Sequence, residues 1–199
     1  MRDRPDLTAL LGSRICHDLI SPLGAIGNGV ELLMMDSPSV SPEMALISES
    51  VASANARIRY FRVAFGAASA DQRMGRPEIT SILADTTKGG RLTVDWLVAG
   101  DLPRLEVKLA FLALQCLESA MPWGGRVSVD NDGRNWHLTG TARRLKVEPA
   151  LWDLLKALPV APTDVSPAQV HFALLSEEAE RQARRMTTRL AETEIVLSF

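Results

Sequence analysis

Apolar residues between about Leu7 and Met35 recur at alternating spacings of three and four, at Cys16, Leu19, Leu23, Ile26, Val30 and Leu33. That spacing predicts one long helix whose apolar stripe packs along another helix. Asp6 stands where an N-cap is needed, and the pattern ends near Asp36. Because a helix turns about 100° per residue, His17 and Asp18 point away from the packing stripe. Pro22 cannot donate to the Asp18 carbonyl, so the helix is expected to kink or loosen there. The segment Asp36-Ser37-Pro38-Ser39-Val40 reads as a short turn. Ser41 then caps a second helix, with Pro42 at its first position and Glu43 in its first turn. Ile47, Val51, Ala54, Ile58, Phe61 and Phe65 repeat the step of three and four. Two matched stripes predict an antiparallel hairpin that brings Tyr60 and Phe61 level with His17.

Such a hairpin buries too little surface by itself. Pairing with a second copy into a four-helix bundle is the expected remedy. Cover from the rest of the chain, leaving a monomer, stays open as the alternative.

From Gly66 to Gly75 the residues become small and polar, as in a linker. The chain therefore divides into a hairpin over 1–68, a linker over 69–76 and a second domain over 77–199. There, Pro77–Thr87 suits a short helix, and Arg91–Leu97 alternates as a strand. Pro103–Met121 reads as a buried helix stopped by Pro122-Trp123-Gly124-Gly125. Arg126–Asp130 and Asn135–Ala142 read as strands joined through Asp132-Gly133, a strong hairpin signal. Pro149–Leu158 and Pro167–Ala179 look helical, and Met186–Leu190 and Glu194–Phe199 look like closing strands. The expected fold class is α+β, a helical hairpin followed by an α/β-sandwich with helices on one face of a mixed sheet.

Composition narrows the classes. The chain has 199 residues, 46% of them hydrophobic, and a net charge of −2, with a pI near 5.9. This balance argues against a dedicated binder of nucleic acid or membrane surfaces. No apolar run reaches the roughly 20 residues of a membrane span, and Met1-Arg2-Asp3-Arg4-Pro5 leads into no signal-peptide core. Cys16 and Cys116 lie in helical apolar patterns without metal-ligand spacing, so reduced thiols in a cytoplasmic protein are expected.

The hexapeptide His17-Asp18-Leu19-Ile20-Ser21-Pro22 resembles the H-box of two-component signalling proteins, whose histidine carries a phosphoryl group. The order of elements resembles a sensor histidine kinase core, in which a Bergerat-type ATP-binding sandwich follows the hairpin. Measured against that pattern, the nucleotide-binding residues are missing. The kinase asparagine that holds Mg²⁺ falls at Cys116, and a neutral thiol is a poor ligand for that hard ion. Leu138-Thr139-Gly140-Thr141-Ala142-Arg143-Arg144 stands where Asp-x-Gly-x-Gly belongs. The glycine-free Val170-His171-Phe172-Ala173-Leu174-Leu175 replaces the last Gly-rich motif, whose backbone cradles phosphates. ATP binding is therefore not expected.

A phosphoacceptor hairpin joined to a degenerate kinase domain resembles the ChpT family of histidine phosphotransferases. The H-box and Ala113-Leu114-Gln115-Cys116-Leu117-Glu118-Ser119-Ala120-Met121-Pro122-Trp123-Gly124-Gly125 carry most of the likeness. The resemblance implies that His17 accepts phosphate from the receiver domain of a hybrid histidine kinase. It also implies delivery to response regulators of the CtrA and CpdR type, in cell-cycle control. The partner receiver is expected to supply Mg²⁺, with no cofactor resident on this chain.

At the site itself, His17 offers a ring nitrogen as nucleophile. Asp18 either holds the proton on the other nitrogen or acts as a base. Arg14 and Ser21 share the His17 face and are placed to meet phosphoryl oxygens. Ile20, Gly24, Gly27 and Asn28 are read as lining a partner-binding face, and the two glycines admit close approach of a helix. Arg57, Arg59 and Arg62, near Tyr60, offer positive potential to an acidic receiver, with Arg57 and Tyr60 taken as contacts. His137 and His171 are read as packing or surface residues. Two other classes remain open from sequence: an ATP-dependent kinase with a diverged nucleotide site, and an adaptor that binds receivers without carrying phosphate.

Overall fold

The computed structural model describes residues 6–36, 41–156 and 165–199. It divides into two compact units: the chain up to Ala68 with Ser81–Thr86, and Ser69–Thr80 with Thr87–Phe199. Ser37–Val40 of the anticipated turn and Ala157–Leu158 of the anticipated helix end lie outside the described residues.

In the first unit, α1 (Leu7–Asp36) and α2 (Pro42–Ala64) pack against each other. Asp6 Oδ1 accepts from the Ala9 amide at 3.0 Å, and Ser41 Oγ accepts from the Met44 amide at 3.3 Å. Each side chain thereby satisfies one of the orphan donors at a helix start. Helix α1 continues through Pro22. The register is fixed by close approaches. A Cβ on Gly12 would lie 3.1 Å from the Phe65 carbonyl oxygen, and one on Gly27 would lie 3.4 Å from Val51 Cγ1. Ser13 Oγ accepts from the Ala67 amide at 2.8 Å, fastening the end of the hairpin to α1 one turn before His17. Arg59 pairs with Asp85 at 2.9 Å within the same unit.

The single stripe expected on α1 is corrected by the structure. Cys16 and Val30 are buried and Leu23 is half-buried, whereas Leu19, Ile26 and Leu33 are 45%, 50% and 58% exposed. The step of three and four combines two sets, each repeating every seven residues. One set turns towards α2, and the other lies about 60° round the helix from it. Leu11 and Ile15 extend the exposed set towards the N-terminus.

The second unit is an α/β-sandwich. Its five-stranded sheet has the order β2 (Leu92–Trp96), β4 (Gly125–Asn131), β5 (Trp136–Thr141), β7 (Glu194–Ser198), β6 (Thr187–Leu190). The pair β2–β4 is parallel and the other pairs are antiparallel. A two-stranded pair, β1 (Arg73–Met74) with β3 (Leu102–Pro103), gives structure to part of the anticipated linker. Helix α3 is Arg76–Thr87. Helix α4 (Arg104–Ala120) is buried along nearly its whole length, against β4, β5 and α6 (Val170–Arg181). Short α5 (Pro149–Leu154) meets α6, which a 3-10 turn over Pro167–Gln169 precedes.

The inward residues of the sheet alternate as a half-buried strand requires: Val127 and Val129, Trp136 and Leu138, Ile195 and Leu197. Trp136 stacks on Phe199 at 6.1 Å, and its Nε1 donates to Glu106 Oε2 at 2.9 Å. Lys108 and Glu178, on α4 and α6, form an ion pair at 3.1 Å with side chains 7% and 3% exposed.

The turn between α4 and β4 depends on its two glycines for different reasons. Gly124 has φ of +97°, and a Cβ there would lie 2.5 Å from the Arg91 carbonyl oxygen. Gly125 has no positive φ, but its Cβ would lie 2.6 Å from the Thr141 carbonyl oxygen. Gly124→Ala combines a disfavoured backbone with a backbone clash, and is expected to destabilise the protein by about 1–3 kcal/mol or more. Urea denaturation followed by tryptophan fluorescence measures the loss.

Candidate functional site

His17 is the eleventh of the 30 residues of α1, with its side chain 82% exposed. Cys16, the residue before it, is turned inward and buried. Burial raises the Cys16 thiol above its ordinary range, with the Arg62 charge opposing in part, as suits a packing residue. The hairpin register places residues 60 and 61 of α2 level with His17.

One short chain of polar contacts surrounds the imidazole. His17 Nδ1 lies 3.1 Å from Asp18 Oδ1, and Arg14 Nε donates to Asp18 Oδ2 at 2.7 Å. Arg14 is thus engaged with Asp18. The hydrogen bond to His17, with that to Arg14 and both charges, holds the Asp18 carboxyl below the usual carboxylate range. With the carboxylate as acceptor, the proton belongs on Nδ1 and the lone pair on Nε2, which carries no hydrogen bond in the described structure. The chemistry on offer is nucleophilic attack by an exposed imidazole nitrogen.

The other expected site residues separate into groups. Ser21, Gly24 and Asn28 fall within about 40° of His17 round the helix. Ser21 and Asn28 are exposed, and a Cβ on Gly24 would meet nothing within 4 Å. Ile20 is half-buried. Gly27 is half-buried, and a Cβ there would make an ordinary contact with Val51 of α2 at 3.4 Å. Arg57 is exposed. Tyr60 is only 6% exposed, edge-on to Phe61 at 6.3 Å, and is corrected from a surface contact to an interior residue. Its position on the inner side of α2 follows from packing on more than one side of that helix, which a single apolar stripe does not reveal.

Residues outside the hairpin have other roles. His171 is buried on α6, its Nε2 3.0 Å from Ser119 Oγ, and desolvation lowers its pKa to about 4. His137 bonds Ser198 Oγ through Nδ1 at 3.0 Å and lies 3.4 Å from Asp132 through Nε2. Cys116 is fully buried within α4, and desolvation pushes its thiol well above the ordinary value. Among the described residues, no group of three or more His, Cys, Asp or Glu side chains is arranged to hold a metal ion. No described helix is long and apolar enough to cross a membrane.

The chain is similar to known proteins over nearly its whole length. The family model described as the histidine phosphotransferase C-terminal domain matches residues 76–194. Protein phosphotransferase ChpT of Brucella abortus (strain 2308) is 35% identical over 200 residues, covering 97% of this chain and 94% of its own. A solved structure titled as a bacterial phosphotransferase superposes with a TM-score of 0.66 at 29% identity, over 97% of this chain and 95% of that one. A histidine kinase domain from Erythrobacter litoralis EL346 aligns at 12% identity with a TM-score of 0.44, over 89% of this chain and 93% of its own.

An exposed helical imidazole on a two-helix hairpin, followed by an α/β-sandwich that matches the histidine phosphotransferase C-terminal domain, defines a histidine phosphotransferase. The chain belongs to the ChpT family of these proteins.

Proposed function

We propose that His17 is the phosphoacceptor of a bacterial phosphorelay, taking phosphate from a receiver aspartate of a hybrid kinase and passing it to response regulators of the CtrA and CpdR type. The observation that carries this reading is the exposed imidazole with its Nδ1 side held by Asp18 and its Nε2 side open. In the forward step, Nε2 attacks phosphorus of the aspartyl phosphate. The P–N bond forms as the bond to the acyl oxygen breaks, and the receiver recovers its carboxylate. The product ring carries the Nδ1 proton and a positive charge that Asp18 offsets. Both compounds have high transfer potential, so the step runs in either direction according to which partner is loaded.

The described part of this chain brings one carboxylate to His17, already bonded through both oxygens. Mg²⁺ and most of the charge stabilisation are therefore assigned to the receiver. ATP is given no role, because the position of the kinase asparagine is the buried Cys116. Incubation with a phosphorylated receiver, followed by detection of acid-labile, base-stable label on this protein, tests the assignment. Absence of label from the wild-type chain overturns it.

The exposed stripe of Leu11, Ile15, Leu19, Ile26 and Leu33 supports a homodimer, in which a second hairpin completes a four-helix bundle. Leu19→Glu with Ile26→Glu is expected to convert a dimer of the 21.7 kDa chain to monomer in light-scattering chromatography. An unchanged mass excludes this face as the contact.

A further inference from the structure

The His17–Asp18 contact is not one that helix geometry supplies by itself. Neighbouring residues in a helix point about 100° apart, and pairs that face each other are three or four apart. A contact at 3.1 Å between residues 17 and 18 therefore depends on the rotamer of a half-exposed carboxylate. Arg14 stands four residues before Asp18, at the favourable spacing, and its Nε–H takes the second oxygen at 2.7 Å. The two bonds fix the carboxylate from both sides.

We infer that Arg14 is a positioning residue: by holding Asp18 Oδ2 it keeps Oδ1 on the Nδ1 proton of His17, and so leaves Nε2 as the nitrogen that bonds phosphorus. This rests on the assignment of His17 as phosphoacceptor. It differs from a contact between Arg14 and the phosphoryl group, since the guanidinium acts through a carboxylate of its own helix. It also explains why arginine suits the position. Lysine would pair as a point charge, without the planar N–H geometry that fixes a carboxylate.

The test uses the full ¹⁵N-labelled chain at a pH where the His17 ring is neutral. Long-range ¹H–¹⁵N correlations report which ring nitrogen bears the proton, and loss of the signals in His17→Gln assigns them. Wild type is expected to show the proton predominantly on Nδ1. Arg14→Gln is expected to move the population towards the Nε2-protonated form, with Arg14→Lys between the two. Uptake of label from a phosphorylated receiver is expected to slow by up to about fivefold in Arg14→Gln, the range for loss of an exposed ion pair. The receiver concentration giving half-maximal rate stays unchanged. Ring spectra identical to wild type overturn the inference. So does a spectral shift with no loss of rate, or a loss confined to the half-maximal concentration, which would put Arg14 on the partner. A wild-type chain that takes no label at all overturns the phosphoacceptor reading instead, and the ring spectra still decide the part played by Arg14.

Discussion

His17→Gln is expected to abolish phosphate uptake from a phosphorylated receiver, a loss of at least about 10³-fold, because no other group can form the bond. Glutamine retains similar bulk and polarity but lacks a nucleophilic ring nitrogen. His137 and His171 belong to the other unit, and each has a hydrogen-bond partner of its own. The variant is expected to fold, since a side chain 82% exposed contributes little packing. Circular dichroism and melting temperature should therefore match wild type while acid-labile label vanishes. Label persisting in the variant would move the acceptor elsewhere. An adaptor that needs no phosphorylation would keep its downstream effect in the same variant, so one substitution separates relay from scaffold.

The largest stability effect is expected at Glu178. Its Oε2 meets Lys108 Nζ at 3.1 Å and accepts from Arg181 at 2.9 Å, while Oε1 accepts from Gln182 Nε2 at 2.9 Å. Gln182 also donates to the Leu105 carbonyl at 2.9 Å, tying the end of α6 to the start of α4. Glu178→Ala leaves the Lys108 ammonium buried without its carboxylate, a change that costs about 3–5 kcal/mol. Thermal and urea unfolding are the measurements. Lys108→Met combined with Glu178→Leu removes both charges and should recover most of the loss, because burial of an ion pair is itself costly. If the double variant is as unstable as the single one, the pair contributes through attraction and not through avoidance of an orphaned charge.

Much of this architecture was legible in the sequence. The helix starts at Asp6 and Ser41 follow from side-chain capping, a local interaction that needs nothing distant. The order of helices and strands in the sandwich follows from periodicity and from turn residues such as Asp132-Gly133. Periodicity did not separate the buried from the exposed apolar set of α1, because leucine at 19 and leucine at 23 carry the same signal whichever surface meets them. The β1–β3 pair escaped because two-residue strands have no alternation to read. At the site, His17 stood out through its motif. The Arg14–Asp18 link was available in principle from the spacing of four residues, but spacing leaves open whether arginine reaches its neighbour or a partner's phosphate. Tyr60 lies with Ala56, Val63 and Ala64 on a second buried side of α2, more than 100° round the helix from Ile58, and one apolar stripe gives no sign of a second.

Helix α1 divides its circumference into three sectors. One meets α2 through Cys16 and Val30, one presents Leu19, Ile26 and Leu33, and one carries His17 with Ser21, Gly24 and Asn28. Substitutions in the last sector leave the other two intact. Under the proposed relay role, the signalling protein recognised can therefore drift at positions 21, 24 and 28 without endangering either the hairpin or the proposed self-association. In that role, one helix holds its scaffold constant while changing whom it answers to.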